Sequence, residues 1–134
     1  MNKYFLTLIT FLIFASPSLS EVKLTKLLDQ LNSPWSITVV EDQTYLITEK
    51  SGNSVLFNKT RNIKKKIKHN LSILEDGQGG LLDVLYHKGY VYVSYSENRG
   101  SGKSSTSAAR AKFNKNELNF KNIFQANPPI NSGY

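Results

Sequence analysis

Leu81-Leu82-Asp83-Val84-Leu85-Tyr86 repeats the apolar character of an earlier stretch, Trp35-Ser36-Ile37-Thr38-Val39-Val40. Each leads into a run that begins with tyrosine, Tyr45-Leu46-Ile47-Thr48 and Tyr90-Val91-Tyr92-Val93, and the two tyrosines are 45 residues apart. Groups of four strands with a period in the forties are typical of β-propeller blades. We therefore predict an all-β chain that supplies about two blades. The competing architecture is a sandwich of two sheets, which does not require two similar halves.

Short strands and turns fill the rest of the sequence, and no segment has the period of an amphipathic helix. Each predicted strand is rich in β-branched and aromatic residues. These strands cover residues 22–28, 35–40, 45–50, 53–58, 63–68, 81–86, 90–95, 108–113 and 120–124. In a blade the first strand lines the central channel and the fourth is outermost. The Gly- and Ser-rich residues 97–107 are predicted to be a mobile loop.

Two blades do not close a ring, because propellers typically have about four to eight. We therefore expect residues 21–134 to be the N-terminal part of a longer propeller domain, with an exposed apolar face. Residues 126–134 are predicted to be a loop that leads to a third innermost strand. The isolated strand at residues 22–28 would be an N-terminal latch, the outer strand of the last blade.

The first twenty residues have the pattern of a secretory signal peptide. A short positive region with Lys3 precedes the nearly continuous apolar residues 4–15, and Pro17 lies among small residues that follow. The apolar run is shorter than the roughly 20 residues that span a bilayer. We therefore predict cleavage after Ser20, export to the periplasm or medium, and no stable membrane insertion of the mature chain.

The chain is basic, with a formal net charge of +7 and no cysteine. Six of its cations fall between Lys59 and Lys68, where no aromatic residue interrupts them. Single-stranded nucleic acid is bound on aromatic stacking platforms, so we predict no nucleic-acid partner. Charge on a sheet edge blocks edge-to-edge pairing, and a solvated edge strand is the predicted role of this run. The absence of cysteine excludes disulfides and thiolate metal sites.

A glycine-rich turn precedes the second repeated stretch. Its sequence, Gly77-Gln78-Gly79-Gly80, allows a ligand close to the backbone, and Gln78 has the only side chain among the four residues. The amide of Gln78 both donates and accepts, so it can bind a carbonyl-rich ligand without proton transfer. The plain alternative is a tight turn between strands with a solvated glutamine.

The order of the motifs resembles the N-terminal part of the quinoprotein sugar dehydrogenases, the glucose/sorbosone or aldose sugar dehydrogenase family. The resemblance extends from about Leu27 to Tyr134, and its most specific piece is the Gln-containing turn followed by two leucines. The motifs that carry it are Pro34-Trp35, Leu46-Ile47-Thr48-Glu49-Lys50-Ser51-Gly52, Gly77-Gln78-Gly79-Gly80-Leu81-Leu82-Asp83-Val84, Val91-Tyr92-Val93-Ser94-Tyr95 and Asn131-Ser132-Gly133.

This resemblance implies a six-bladed, exported enzyme that depends on pyrroloquinoline quinone (PQQ) and calcium and oxidises the C1 hydroxyl of aldose sugars to lactones. It implies that Gln78 contacts both the quinone and the sugar. The general-base histidine is expected just beyond Tyr134, and the calcium ligands and most quinone ligands are also expected outside the chain. The chain alone is therefore expected to be inactive. The electron acceptor is not identified.

The other polar and aromatic residues have plainer interpretations. His69 and His87 do not match the expected base and are read as surface histidines. Asp83 could line the channel or cap a neighbouring backbone, while Glu49 and Lys50 read as hairpin residues. Trp35 and Tyr95 read as packing between blades.

Two other functions stay open: an exported carbohydrate-binding propeller without a redox cofactor, and a calcium-dependent lactonase-type propeller. The latter would need carboxylate ligands in the channel, where this turn offers an amide.

Overall fold

The computed structural model describes residues 21–131, and the part of the chain that it describes contains β-strands and no helix. The predicted signal peptide, residues 1–20, and residues 132–134 lie outside it. The strands are β1 (Pro34–Glu41), β2 (Thr44–Glu49), β3 (Asn53–Asn58), β4 (Ile63–His69), β5 (Leu81–His87), β6 (Tyr90–Asn98), β7 (Lys103–Lys112), β8 (Glu117–Leu118), β9 (Lys121–Gln125) and β10 (Ile130–Asn131).

The strands form two sheets that follow the predicted blades. In the first blade, β1 to β4 are antiparallel neighbours in chain order, and the short β8 is parallel to the end of β4. In the second blade, β5, β6 and β7 follow in order, and β9 and β10 both pair with the outer edge of β7. The all-β propeller arrangement predicted from the 45-residue offset is confirmed.

Hairpin turns set the register of each blade. Lys88 and Gly89 both have positive φ, 47° and 82°, as a two-residue turn of type I′ requires. This turn places His87 opposite Tyr90 and continues the pairing of β5 with β6.

The two blades share one hydrophobic core. The first blade contributes buried side chains that include Leu46, Leu56 and Ile67, and the second contributes Val91, Val93 and Ala109. Full burial of each large aliphatic side chain contributes about 1.5–3 kcal/mol. The packing of one blade against the next therefore stabilises both sheets.

The innermost strands β1 and β5 lie side by side. The backbone N–H of Tyr86 donates to Oγ1 of Thr38 at 3.1 Å, and the Thr48 hydroxyl donates to the Leu82 carbonyl at 2.6 Å. Thr48 lies on β2 and Leu82 on β5, so both β1 and β2 bond to the first strand of the second blade. That the first strand of each blade lines a channel stays a prediction.

An exposed apolar face remains on the first blade. Trp35, Ile37 and Val39 occupy alternate positions of β1 and are 48%, 51% and 58% exposed. Alternate residues of a strand point to one side. This side is opposite to the hydroxyls that meet β5, in agreement with the expected apolar face.

The predicted strand at residues 22–28 is wrong, because the structure assigns no strand to this segment. A strand needs a neighbour for its backbone groups, and residues 22–28 pair with no described strand. Leu27 and Leu28 pack instead on the first blade, while Leu24 is 92% exposed. The cluster on the first blade comprises Leu27, Leu28, Leu31, Tyr45, Ile47, Val55 and Phe57. The latch role has no partner strand among the described residues.

The predicted mobile loop at residues 97–107 is also wrong. The ladder of β6 and β7 continues through it, with Glu97 opposite Ser105 and Asn98 opposite Ser104. Only the turn between them is left, closed by a 2.9 Å hydrogen bond from the Arg99 N–H to the Lys103 carbonyl. A run of small hydroxyl residues was read as a loop, although hydroxyls are compatible with a strand. The short strands β8 and β10 were not predicted.

Candidate functional site

The Gln-containing turn has a defined shape. The N–H of Gly79 donates to the carbonyl of Asp76 at 2.7 Å, which closes a four-residue turn. Gly77 has a φ of 50°, which glycine adopts without strain. Gln78 is exposed within this turn. The backbone is therefore fixed while the amide is free to meet a ligand.

Lys50 of the first blade holds the turn in place. Its backbone carbonyl accepts a 3.0 Å hydrogen bond from the Leu81 N–H, and its ammonium group donates to the carbonyl of Gly77. A Cβ on Gly80 would lie 2.3 Å from the Lys50 carbonyl oxygen. Glycine is thus required at position 80 for the turn to approach the first blade this closely.

The second blade holds the turn from the other side. Ser96 on β6 donates its backbone N–H to the Gly80 carbonyl at 2.8 Å and accepts at its own carbonyl from the Leu74 N–H at 2.9 Å. The turn is therefore bonded to both blades at once.

A cleft of about 260 Å³ opens beside this turn. Its polar lining consists of amide, hydroxyl and carboxylate groups, from Asp76, Gln78, Ser96, Ser104, Ser105, Thr106 and Asn131. Leu74, Leu82 and Ile130 supply apolar surface. No cationic side chain lines it within residues 21–131. The lining can both donate to and accept from a ligand that carries carbonyl or hydroxyl groups.

Gln78, the site residue predicted from the sequence, is thus brought together with residues that the sequence analysis did not assign to the site. Ser104 and Thr106 come from β7, and Asn131 comes from β10. Ser104 and Thr106 were missed because residues 97–107 were read as a loop. Asn131 was named only as part of a motif of the resemblance. The segment Ser104-Ser105-Thr106-Ser107 has one β-branched residue, Thr106, as its local signal for a strand.

Glu97 lies next to this lining at the centre of a hydrogen-bond network. Its carboxylate accepts from the Ser107 hydroxyl at 2.7 Å, from Nε2 of Gln125 at 2.8 Å and from Nδ2 of Asn122 at 3.1 Å. Burial raises the pKa of Glu97, but these hydrogen bonds and the nearby Arg99 outweigh it and hold the pKa below its ordinary value. Glu97 therefore stays ionised and joins β6, β7 and β9. The sequence did not indicate this structural role of Glu97.

Asp83 interacts with the first blade. Its Oδ1 accepts from the Ser36 hydroxyl at 2.5 Å and from the Val84 N–H at 2.9 Å, and the side chain is exposed. Asp83 thus bonds a neighbouring backbone group, and its role in lining a channel stays a prediction.

Glu49 is a buried structural residue. Its two carboxylate oxygens accept from the Asn32 N–H at 2.7 Å and from Nδ2 of Asn53 at 2.8 Å. These contacts agree with its interpretation as a hairpin residue.

The interpretation of His69 as a surface histidine is wrong. Its ring is half-buried, its Nε2 lies 2.7 Å from the Gly52 carbonyl, and its Nδ1 accepts from the Leu71 N–H at 3.3 Å. A ring nitrogen facing a carbonyl must carry the proton, so Nε2 donates. His87, by contrast, is exposed at its hairpin as predicted. Neither histidine lines the cleft.

Tyr95 and Trp35 were both predicted to pack between blades, and the structure places them differently. Tyr95 is 2% exposed in the shared core, and its hydroxyl donates to Asn122 at 2.7 Å. Trp35 is half-exposed and packs with no second blade in the described chain. The prediction is confirmed for Tyr95 alone.

Between residues 21 and 131 no group of three or more His, Asp or Glu side chains could hold a metal ion. That part of the chain also has no helix long and apolar enough to cross a bilayer.

The comparisons with known proteins agree with one another. The family model for glucose / sorbosone dehydrogenase matches residues 31–134. A crystal structure of a glucose dehydrogenase superimposes with a TM-score of 0.75 at 30% identity, over 82% of this chain and 35% of its own. No curated protein matches the chain.

Two more distant structures share the fold. The soluble aldose sugar dehydrogenase of Escherichia coli, solved in its apo form, has a TM-score of 0.71 at 24% identity over 81% of this chain and 34% of its own. The PQQ-bound aldose sugar dehydrogenase of Streptomyces coelicolor has a TM-score of 0.66 at 16% identity, over 78% and 34%. The chain thus spans about a third of the length of these structures.

Proposed function

The chain belongs to the glucose / sorbosone dehydrogenase family, and from this premise we propose that it supplies two blades of an exported, PQQ-dependent oxidoreductase. The proposed reaction oxidises the C1 hydroxyl of an aldose to a lactone. The proposed location is the periplasm or the medium, after removal of residues 1–20. The electron acceptor is left open. The observation that carries the proposal is the Gln78 turn, held by both blades beside a polar cleft.

The lining of the cleft offers hydrogen-bond donors to the cofactor that the Streptomyces coelicolor relative binds, although no cationic side chain lines it within residues 21–131. Gln78 and Asn131 offer amide donors, and Ser104 and Thr106 offer hydroxyls, all of which match carbonyl and carboxylate oxygens. We propose that Gln78 holds this group together with the sugar. When bound, PQQ would supply the electrophilic carbonyl that accepts a hydride from the sugar.

The role of Gln78 is positioning. Its amide would bind one oxygen of the sugar or the quinone while Lys50 and Ser96 keep the turn from moving. A fixed turn preserves the geometry of attack, and correct orientation contributes several kcal/mol to catalysis, up to about 7–11. Gln78 has no acid–base chemistry, so the proton must leave through another group.

The general base and the metal are proposed to lie outside this chain. The base would be a histidine just beyond Tyr134, since His69 and His87 are placed elsewhere. Calcium is proposed for the whole enzyme from the family resemblance, but the described residues offer no cluster of carboxylates for it. No step is therefore assigned to calcium here. With the base elsewhere, this chain alone is proposed to be inactive.

A carbohydrate-binding propeller without a redox cofactor is the second candidate, because the neutral polar cleft fits a sugar equally well. A lactonase-type propeller fits less well, since Asp76 is the one carboxylate that lines the cleft within residues 21–131.

The proposal is tested by titrating PQQ, and separately glucose, into ¹⁵N-labelled chain and recording amide shifts. We expect PQQ to shift the signals of Gln78, Gly79, Ser96 and Thr106. Gln78→Ala should weaken binding about tenfold, since one hydrogen bond contributes about 0.5–1.5 kcal/mol net. Gln43→Ala, at the exposed turn between β1 and β2, is the matched control and should leave the affinity unchanged.

The outcomes separate the candidates. Shifts with glucose and none with PQQ would favour the binding propeller. Shifts with PQQ that map only to β4 would mean that the anionic quinone binds nonspecifically to the lysines of that strand. The assignment of the cleft as the quinone site would then be withdrawn.

A further inference from the structure

The outermost part of the first blade carries a run of positive charge that the proposed chemistry does not use. Between Lys50 and Glu75 the sequence contains no aspartate or glutamate. Six exposed cations lie within this stretch, and we call them the basic edge: Lys59, Arg61, Lys64, Lys65, Lys66 and Lys68.

The basic edge faces outward from the sheet. β4 is paired with β3 on one side, and on the other side only Lys68 and His69 pair with β8. Lys64 and Lys65 donate to neutral oxygens, the Gln30 carbonyl at 3.1 Å and Asn116 Oδ1 at 3.0 Å. Within residues 21–131, the side chains of Lys59, Arg61 and Lys66 form no hydrogen bond or ion pair, and Arg61 bonds only through its backbone N–H, to Asn58 Oδ1 at 2.8 Å. The charge is therefore not neutralised internally.

The acidic groups near this surface are few. Asp42, which is exposed and forms no ion pair within residues 21–131, adjoins Gln43, whose carbonyl accepts from the Lys59 N–H at 2.8 Å. Asp29 is paired with Lys26 at 2.9 Å, and Glu41 is paired with Lys115 at 2.7 Å. Glu117 lies opposite Lys68 in the ladder, at the far end of β4. Most of the basic edge thus presents a single sign of charge.

Protection of the sheet edge does not account for the whole surface. Charge on an edge strand prevents pairing with another sheet, and this explains the lysines of β4. Lys59 and Arg61 lie instead in the turn between β3 and β4, where there is no edge to protect. The positive surface thus extends beyond the strand.

The residue types point to a lipid surface more than to an acidic protein. Five of the six cations are lysines, which act as compact hydrated charges, whereas the planar fork of arginine suits individual carboxylates. Ile63, which is 53% exposed on the same strand, adds apolar contact area. Polybasic segments bind anionic bilayers through their diffuse negative potential, and each cation strengthens binding about fivefold.

We propose that the basic edge attaches the protein peripherally to an anionic lipid surface. No residue of the basic edge lines the cleft at Gln78, so attachment and ligand binding use separate surfaces. Peripheral attachment of this kind needs no apolar span.

The test measures binding of the full chain to vesicles of phosphatidylcholine alone and to vesicles with a quarter phosphatidylglycerol. The apolar residues 4–15 contribute to both, so the readout is the ratio of the two affinities. We expect Lys59→Gln, Arg61→Gln and Lys66→Gln together to lower this ratio about a hundredfold. The matched control replaces three exposed lysines elsewhere, Lys23, Lys112 and Lys121, by Gln and should keep most of the ratio.

A second measurement needs no variant. Raising the salt from about 0.1 M to about 1 M shortens the Debye length from about 10 Å to about 3 Å, which should abolish the preference for anionic vesicles. Equal losses in the two triple variants would show that net charge alone matters and would overturn the proposal. Binding to polyglutamate without preference for anionic vesicles would overturn it in favour of an acidic protein partner.

Discussion

Replacement of Gly80 by alanine tests the close contact between the Gln78 turn and the first blade. The new Cβ would lie 2.3 Å from the Lys50 carbonyl oxygen and 2.7 Å from Lys50 Cγ. Such contacts below 3.0 Å are not tolerated, so the two backbones must separate by about 0.7 Å. Gly80 also has a φ of 153°, which an L-residue rarely adopts.

The cost is the sum of overlapping terms. Overpacking of a tight contact costs about 1–3 kcal/mol, and an unfavourable backbone conformation costs about 1–3 kcal/mol. Separation also weakens the hydrogen bond from the Leu81 N–H to the Lys50 carbonyl, about 0.5–1.5 kcal/mol. We expect Gly80→Ala to lower the free energy of unfolding by about 3 kcal/mol or more.

Urea denaturation of the chain, followed by Tyr and Trp fluorescence, measures this loss. Gly89→Ala is the matched control, because Gly89 has a φ of 82° and its Cβ would meet nothing within 4 Å. It carries the backbone strain without the contact. If Gly80→Ala and Gly89→Ala lose the same stability, the contact with Lys50 does not hold the turn, and the argument for a fixed Gln78 fails.

Two further substitutions test the structural groups that the sequence did not identify. The folded pKa of Glu97 lies below its ordinary value of 4.5, so its ionised form stabilises the fold above that pH and the contribution is lost as the pH falls through the folded pKa. Glu97→Gln should therefore reduce stability at pH 7 and make stability fall less steeply on acidification, which thermal melts across pH measure. The control Glu75→Gln, at an exposed position, should behave as the parent protein does. An unchanged dependence of stability on pH in Glu97→Gln would contradict the network. His69→Ala removes two hydrogen bonds and an edge contact to Phe120, and it should lower the free energy of unfolding by about 1–3 kcal/mol, measured by urea denaturation. The control His87→Ala, at an exposed position, should lower it by no more than about 0.5 kcal/mol. Similar losses at both histidines would restore the surface interpretation of His69.

Local sequence determined the strands and their order. The alternating and β-branched runs located the main strands of both blades, although β7 begins at Lys103 where the prediction began it at Ala108, and the glycine turns located the hairpins. These signals are local, because side-chain periodicity and turn geometry depend on residues a few positions apart. The family resemblance, carried by the Gln78 turn, was also readable in the sequence and is confirmed.

Only the tertiary structure decided which residues meet. Residues 97–107 have a composition that loops and strands share, and their pairing across β6 and β7 placed Ser104 and Thr106 in the cleft with Gln78. Residues 22–28 have the composition of a strand, yet they form none, because they pair with no described strand. The contact of Gly80 with Lys50, the tautomer of His69 and the low pKa of Glu97 arise from groups up to 30 positions apart. Long-range packing sets such contacts, and local periodicity carries no information about them.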